Sequence, residues 1–554
     1  MTAIPDVAPT SVADLERIYQ DAIRKRRERR EKRLERPLVR LWDGDWNLRG
    51  RCGAELSGDF KRVMNESSTG TLELPADYYL AKWVMNPQKR STENVHVTVD
   101  KDGSRWDGRM RSATIKKSAT GQLTVVVTFM HSYEELKYFQ AWCNPFLPAA
   151  LQVPRVFTLA GPAAWILKLS LHLQILRRET LLGWHLPDDP LNLASWAGLS
   201  QANWSVVVKP GSFWEDGSQW GLISSRFKNW HDMAADTLDD AQLMVETRRY
   251  LRGDPPPWKG ANLRHGALVV DVVDKSGYYT GTSTGGNIAT GLVRSVGRFF
   301  GDFYESTQDI IDPTADPKYF EKGWLGTTPT QPWVVFREGV CTGIRTSEFT
   351  INPATAVQIN TGGHSAPGVN QAIKASVIMA GNLIGTIFTQ SGLGSVADAV
   401  LEPLYTDTVA AWMSYMSDSR KARLGWSHYF EYFQSGGDRA YTLSSLVALR
   451  AGLWATRSYF THKLEVSDGA PYLVGENGQG HFFLGDRVGS TVAGMDDGAI
   501  YVDQVTQLDL SWKRGVPATW SITIGSTRDM EDGAVRALSY VQKLMSTAHD
   551  MGVL

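Results

Sequence analysis

Short runs in which every second residue is apolar recur along this chain, and they constrain its fold more than any other feature. Successive side chains of a strand point to opposite faces, so such runs call for sheets with one buried face. NVHVTVD puts Val95, Val97 and Val99 on one face, and GQLTVVVTF does the same with Leu123, Val125, Val127 and Phe129. GDFKRVMNE and TGTLELP read as a further strand pair. Asp43-Gly44, inside PLVRLWDGDWNLRGRC, is a two-residue hairpin signal, and Asp102-Gly103 marks a turn into SRWDGRMRSATIKKS. Near the end, AIYVDQVTQLDLSWKRG and ATWSITIG alternate on either side of a turn at Lys513 to Pro517. The expected fold class is α+β, β-rich and multidomain, with small barrels or sandwiches interrupted by helices. The 554 residues are enough for three or four domains.

Six segments differ in character. Residues 1–36 form an N-terminal arm. Ser11 and Asp14 have capping-box spacing, and Leu15, Ile18, Tyr19 and Ile23 line one helical face. From Arg24 to Arg36 the arm holds nine basic and three acidic side chains, until Pro37 ends it. No compact core can absorb that run, so the arm projects, either simply solvated or as a partner-binding element built on Arg24, Lys25, Arg26, Arg27, Arg29 and Arg30. Residues 37–150 are a β-domain with short helices at ADYYLAKWVM and SYEELKYFQAW. Residues 151–260 are Trp-rich. Within them GPAAWILKLSLHLQILRRETLLGW fits either an apolar helix or a buried strand pair, and DMAADTLDDAQLMVETRRYLRG reads as an amphipathic helix. Residues 261–350 return to strands.

Residues 351–463 are a low-charge segment followed by a helical stretch at 402–463. Between Lys374 and Asp398 lie 23 residues without a charge. That length spans a bilayer, but Asn382, Thr386, Gln390 and four glycines dilute it. Ile378, Met379, Leu383, Ile384, Ile387, Phe388 and Leu393 are the candidate plug or membrane-active residues, and a helix pair buried in protein fits as well. Residues 464–554 are β-rich and close with a helix at 529–549.

Composition excludes several classes. Lys plus Arg is 58 and Asp plus Glu is 59, so the chain lacks the positive excess of a general polyanion binder. Three scattered cysteines make neither a disulfide framework nor a zinc site. The first 20 residues lack the pattern of a Sec signal peptide, and a mean hydropathy of -0.25 is unlike a polytopic membrane protein. Of 20 tryptophans, 13 precede residue 260. Trp184, Trp196, Trp204, Trp214, Trp220 and Trp230 fill either a core or subunit interface, or a glycan-stacking row with Trp204, Trp214 and Trp220 as its candidates.

The chemistry screen yields little. Gly281-Thr282-Ser283-Thr284-Gly285 matches a nucleophile elbow, but the preceding DKSGYYT is polar and kinked, so an esterase built on Ser283 is the lesser alternative. Gly392 to Ala397 matches a relaxed dinucleotide fingerprint without a βαβ unit. There is no Walker A sequence and no H-E-x-x-H. No catalytic residue, cofactor or metal is expected.

LVRLWDGDWNLRGRC, NESSTGTLELP, NVHVTVDKDGSRWDGRM and LTVVVTFMHSYEELKYFQAWCNPFLP together resemble the N-terminal domain of siphophage tail-tip hub proteins, the minor tail proteins of phages of mycobacteria and other actinobacteria. GGHSAPGVNQAIKASVIMAGNLIGTIF resembles that family's low-charge segment, and GHFFLGDRVG with VTQLDLSWKRGVPATWSITIG its C-terminal β-domain. The resemblance covers most of residues 38–545. It implies a non-enzymatic virion protein at the tail tip: a homotrimer closing the tail tube, each subunit supplying two tube-like β-domains. It implies partners in the distal tail protein ring, the tape-measure protein and other minor tail proteins, and contact with the host envelope during infection. DNA would only transit the lumen, without sequence-specific binding. Receptor binding to host cell-wall glycan is the alternative role.

Overall fold

The computed structural model describes residues 11–145, 147, 152, 157–179, 201–276, 309–311, 334–339, 343–362, 412–434, 443–466, 470–495 and 500–525. Helix α1 (Val12–Leu34) opens the chain, and the Ser11 hydroxyl accepts from the Asp14 amide at 3.2 Å as the capping pattern requires. Strands β1 (Leu38–Asp43), β2 (Leu48–Arg51), β3 (Ser57–Val63) and β4 (Thr69–Pro75) follow, then α2 (Tyr79–Met85), β5 (Val95–Lys101), β6 (Ser104–Lys117) and β7 (Leu123–His131). The Trp-rich region gives β8 (Phe157–Pro162), α3 (Ala163–Glu179), β9 (Val206–Val208), β10 (Trp220–Ser225), α4 (Trp230–Asp240), β11 (Leu243–Arg249) and β12 (Leu268–Asp274). Beyond it lie β13 (Asp309–Ile311), β14 (Val335–Phe336), β15 (Ile344–Asn352), β16 (Ala356–Gly362), β17 (Trp412–Met416), α5 (Asp418–Leu424), β18 (Tyr429–Phe433) and α6 (Leu443–Ala455). The last strands are β19 (Tyr459–Val466), β20 (Arg487–Ser490), β21 (Ile500–Lys513) and β22 (Val516–Gly525).

One 14-stranded sheet dominates, along the path β15-β19-β22-β21-β3-β4-β7-β6-β5-β1-β2. The central join is β21 against β3, antiparallel from Gln507↔Val63 to Lys513↔Ser57. N-terminal and C-terminal strands therefore share one sheet and one core. In that core Phe60 meets Trp106 edge-on at 4.9 Å and Trp512 face-on at 5.5 Å. Gly58 lies directly under the Trp512 ring, where no Cβ would fit. The β-rich class with helical insertions is what the sequence leads one to expect. The described strands do not close into a barrel: the path runs open from β15 to β2.

A second core forms around α3, with α4 and strands β9, β11 and β12 packed on it. Buried residues lie all around α3, which decides for a helix over 163–179 and against a strand pair. Trp230 is fully buried, and its indole donates to Ser170 Oγ at 3.0 Å. A third unit is the small sheet β17-β16-β18, whose inner face packs Ile359 on Leu449, Leu453 and Trp454. Arg420 of α5 is buried beside it, donating to the carbonyls of Ala356 at 3.0 Å and Leu453 at 3.1 Å and to Thr456 Oγ1 at 2.8 Å.

Three local expectations are corrected. The helix expected through DMAADTLDDAQLMVETRRYLRG ends at Asp240, and LMVETRR is strand β11. Gln242 takes φ 53°, which breaks the helix, and full antiparallel pairing with β12 outweighs the helical periodicity. The stretch 402–463 is not helical throughout: WMSYM and YFEYF are strands flanking β16, and Gly425 at φ 80° ends α5 between them. The Asp43-Gly44 hairpin forms, but through a longer loop. The Asp43 carboxylate accepts from the amides of Asp45 at 3.0 Å and Asn47 at 2.9 Å and from Arg49 at 2.5 Å.

Candidate assembly interface

The arm is rooted at one end and bare along the rest. At its root Arg33 donates to the Tyr472 carbonyl at 2.8 Å, Lys32 to Gln479 Oε1 at 3.1 Å, and Arg36 pairs with Glu55 at 3.0 Å. The first two bonds tie α1 to the loop 470–479 of the C-terminal region, and the third ties the chain just after it to the segment between β2 and β3. Beyond the root no residue of α1 is buried. Val12, Leu15, Ile18, Tyr19 and Ile23 are exposed. So are Arg24, Lys25, Arg26, Arg27, Arg29 and Arg30. Arg24 pairs with Asp21 at 3.0 Å and lies 3.8 Å from Glu28, whereas the other five form no ion pair with a described residue. The field of the arm reaches the body: the His481 imidazole lies below its ordinary pKa, first through burial and then through Arg29, Lys32 and Arg33.

A buried charge network fastens the Trp-rich region to the first β-strands. Arg105 of β6 grips Asp254 through two bonds, at 2.5 and 3.1 Å, and Asp100 through a third at 2.7 Å. Asp107 accepts from the Arg249 amide at 3.1 Å, and the Arg249 side chain reaches Glu135 and the Gly266 carbonyl. The Arg249 guanidinium also lies over Trp46, which stacks on His96 with centroids 4.6 Å apart. Burial first, then Arg249 and Arg109, push the His96 pKa down to about 3. Burial would raise the Asp43 carboxyl, but hydrogen bonds from Asn47, Arg49 and Asp45 outweigh it and leave the group below its ordinary value. This is a neutral histidine and a set of buried carboxylate–arginine contacts holding parts together.

The structure separates the three candidate tryptophans. Trp204 is buried in the second core beside His172, Trp220 is half-buried on β10, and Trp214 is 65% exposed against Phe213. They form no single exposed row. Ser283, and the candidate plug residues Ile378, Met379, Leu383, Ile384, Ile387, Phe388 and Leu393, lie outside the described residues, as do the Gly392 motif and the terminal helix. Among the described residues no helix is long and apolar enough to cross a membrane, and no cluster of His, Cys, Asp and Glu could hold a metal. Burial raises the Cys52 thiol to about 12, with Glu55 adding to it, so it is an inert core group. The sequence reading missed the exposed aromatic face of the small sheet, because WMSYM and YFEYF read as helix.

A large open sheet, a projecting charged helix and buried charge clusters devoted to packing define a structural assembly component. The chain matches the Siphovirus ReqiPepy6 Gp37-like protein family over residues 38–526 and belongs to it. It is 35% identical to minor tail protein Gp28 of Mycobacterium phage L5, over 98% of this chain and 99% of that one. Against minor tail protein Gp28 of Mycobacterium phage D29 the identity is 34% with the same coverage. Among solved structures it is similar to prophage tail protein gp18 from Listeria monocytogenes EGD-e, at 10% identity and a TM-score of 0.40 over 92% of this chain and 99% of that one. It is thus a siphophage minor tail protein, a virion component of the tail.

Proposed function

We propose that this minor tail protein is the tail-tip hub, a homotrimer that closes the distal end of the tail tube. The observation that supports this most is the pairing of β3 with β21, which fuses an N-terminal and a C-terminal set of strands into one open sheet. Three copies of a two-part sheet supply the six modules that a ring beneath a hexameric tube needs.

In this reading the arm docks on an acidic neighbour in the tail, such as the distal tail protein ring or another minor tail protein. The tape-measure protein and then DNA pass the lumen, and the hub opens during genome ejection and host-envelope penetration. The uncharged run between Lys374 and Asp398 serves as an axial plug released toward the host membrane. The test is immunogold microscopy of virions with an antibody to the C-terminal peptide. Gold at the distal tail end is expected, and gold along the tail shaft or on the head would overturn the hub.

A further inference from the structure

The small sheet β17-β16-β18 has an inner face packed on α6 and an outer face that is open from Gln358 to Gly362, whereas Ala356, next to Tyr429 on that face, is buried. Register fixes what the outer face presents. Gln358 lies between Met416 and Glu431, Asn360 between Ser414 and Phe433, and Gly362 opposite Trp412. Trp412 is 55% and Phe433 44% exposed, with ring centroids 5.8 Å apart in an edge-on pair. Tyr429, 76% exposed, stands at the opposite end of β18. Four residue steps along β18 carry the strand from Tyr429 to Phe433, about 13 Å.

Between these rings runs a polar ladder. Gln358 Nε2 donates to Glu431 Oε1 at 2.9 Å and to Asn360 Oδ1 at 3.1 Å. Those bonds fix the side chains and leave Gln358 Oε1, Asn360 Nδ2, Glu431 Oε2 and the Ser414 hydroxyl for further partners. Protein interfaces have apolar centres and polar rims. This face is instead polar along its middle strand, with Trp412 and Phe433 toward one end, Tyr429 at the other and the half-exposed Met416 beside Gln358. Its charge is equally selective. The ladder holds one carboxylate and no cation, which disfavours a nucleic-acid backbone and insertion into a bilayer. An uncharged ligand with apolar ring faces and hydroxyl edges complements it.

We propose that the outer face of β17-β16-β18 binds a neutral polysaccharide, with Trp412, Phe433 and Tyr429 stacking on sugar rings and Gln358, Asn360 and Glu431 bonding their hydroxyls. The span admits a short oligosaccharide stretch rather than a single ring. The site does not depend on how the subunits assemble, so its failure would leave the hub reading untouched.

The experiment is titration of the full-length protein with arabinogalactan, cellohexaose and maltohexaose, and with glucose alone, read by calorimetry and intrinsic tryptophan fluorescence. Saturable binding to at least one polymer or oligomer is expected, with glucose far weaker. Trp412→Ala and Phe433→Ala should each weaken it about tenfold or more, the usual effect of losing a central aromatic anchor. Trp412→Phe should retain most of it. Trp214→Ala removes an exposed tryptophan elsewhere and should change nothing. All three changed side chains are exposed or half-exposed, and circular dichroism checks that the variants fold. No saturable binding to any of the glycans, or binding indifferent to Trp412 and Phe433, would overturn the proposal. So would self-association or uptake by phosphatidylcholine vesicles that Trp412→Ala abolishes, since the face would then serve protein or lipid.

Discussion

The ring of Trp512, from the β21–β22 hairpin, lies nearly parallel to that of Phe60, from β3, with centroids 5.5 Å apart and an angle of 14° between the planes. This stack sits at the join between β3 and β21 and makes the N-terminal and C-terminal strands one folding unit. Trp512→Ala should cost about 3–5 kcal/mol, the range for truncating a buried aromatic. Gly58→Val, which drives a side chain into the Trp512 ring, should cost about 1–3 kcal/mol. Thermal unfolding by calorimetry checks both. Loss of a separate C-terminal transition, with the N-terminal one unmoved, would mean the two parts fold independently.

The Arg105–Asp254 pair joins the Trp-rich region to the first strands, with the Arg105 side chain only 6% exposed. Asp254→Ala removes two bonds from a guanidinium that keeps Asp100 and the Arg249 carbonyl, so it should destabilise by about 2 kcal/mol, and Arg105→Met with Asp254→Leu together by less than the sum of the single changes. A double-mutant cycle by calorimetry measures the coupling.

Acid should weaken the fold well above the range where ordinary carboxylates titrate. Burial holds His96 at about 3, and His172 and His462 at about 4. Each folded pKa lies below the 6.5 of a free imidazole, so between 6.5 and about 4 the unfolded chain binds protons that the folded chain refuses. Stability is full above that window and falls as pH drops through it. Glu66, brought down to about 2 by His231 and Lys137 against its burial, adds a further loss as pH falls from 4.5 toward 2. Melting temperature against pH should decline from about 6.5 downward, and His462→Gln should flatten the slope.

If the arm docks on a neighbour in the tail, as proposed, it should be dispensable for folding and needed for assembly. Since no residue of α1 is buried, replacing Arg26, Arg27, Arg29 and Arg30 by Glu should move the melting temperature by about 2 °C or less. The same variant should fail to join tails when it complements a phage lacking the wild-type chain. Normal incorporation would assign the arm to solvent.

Much of this architecture is legible in sequence where pairing is local. The turn at Asp102-Gly103, with positive φ at both residues, joins β5 to β6, and Gly515 joins β21 to β22. The Ser11 cap, the buried valines of β5 and the bare basic helix are equally plain. What stays hidden is long-range. Nothing local in GDFKRVMNE says that its free edge meets LDLSWK near the other terminus. LMVETRR and YFEYF satisfy a helical period as well as a strand period, and only their partners β12 and β16 decide. The glycan face was invisible for the same reason: alternation of Trp412, Ser414 and Met416 has meaning only once β17 is a strand beside Gln358 and Asn360.

The central claim is a threefold hub built from this sheet. Cryo-electron microscopy of virion tail tips, with symmetry determined from the distal ring rather than imposed, tests it most directly. The account predicts threefold density at the tip in which each subunit places the β3–β21 join in the wall of the ring, six sheet modules in all. A distal ring of another symmetry, or density for this chain only on the outside of the tube, would contradict it.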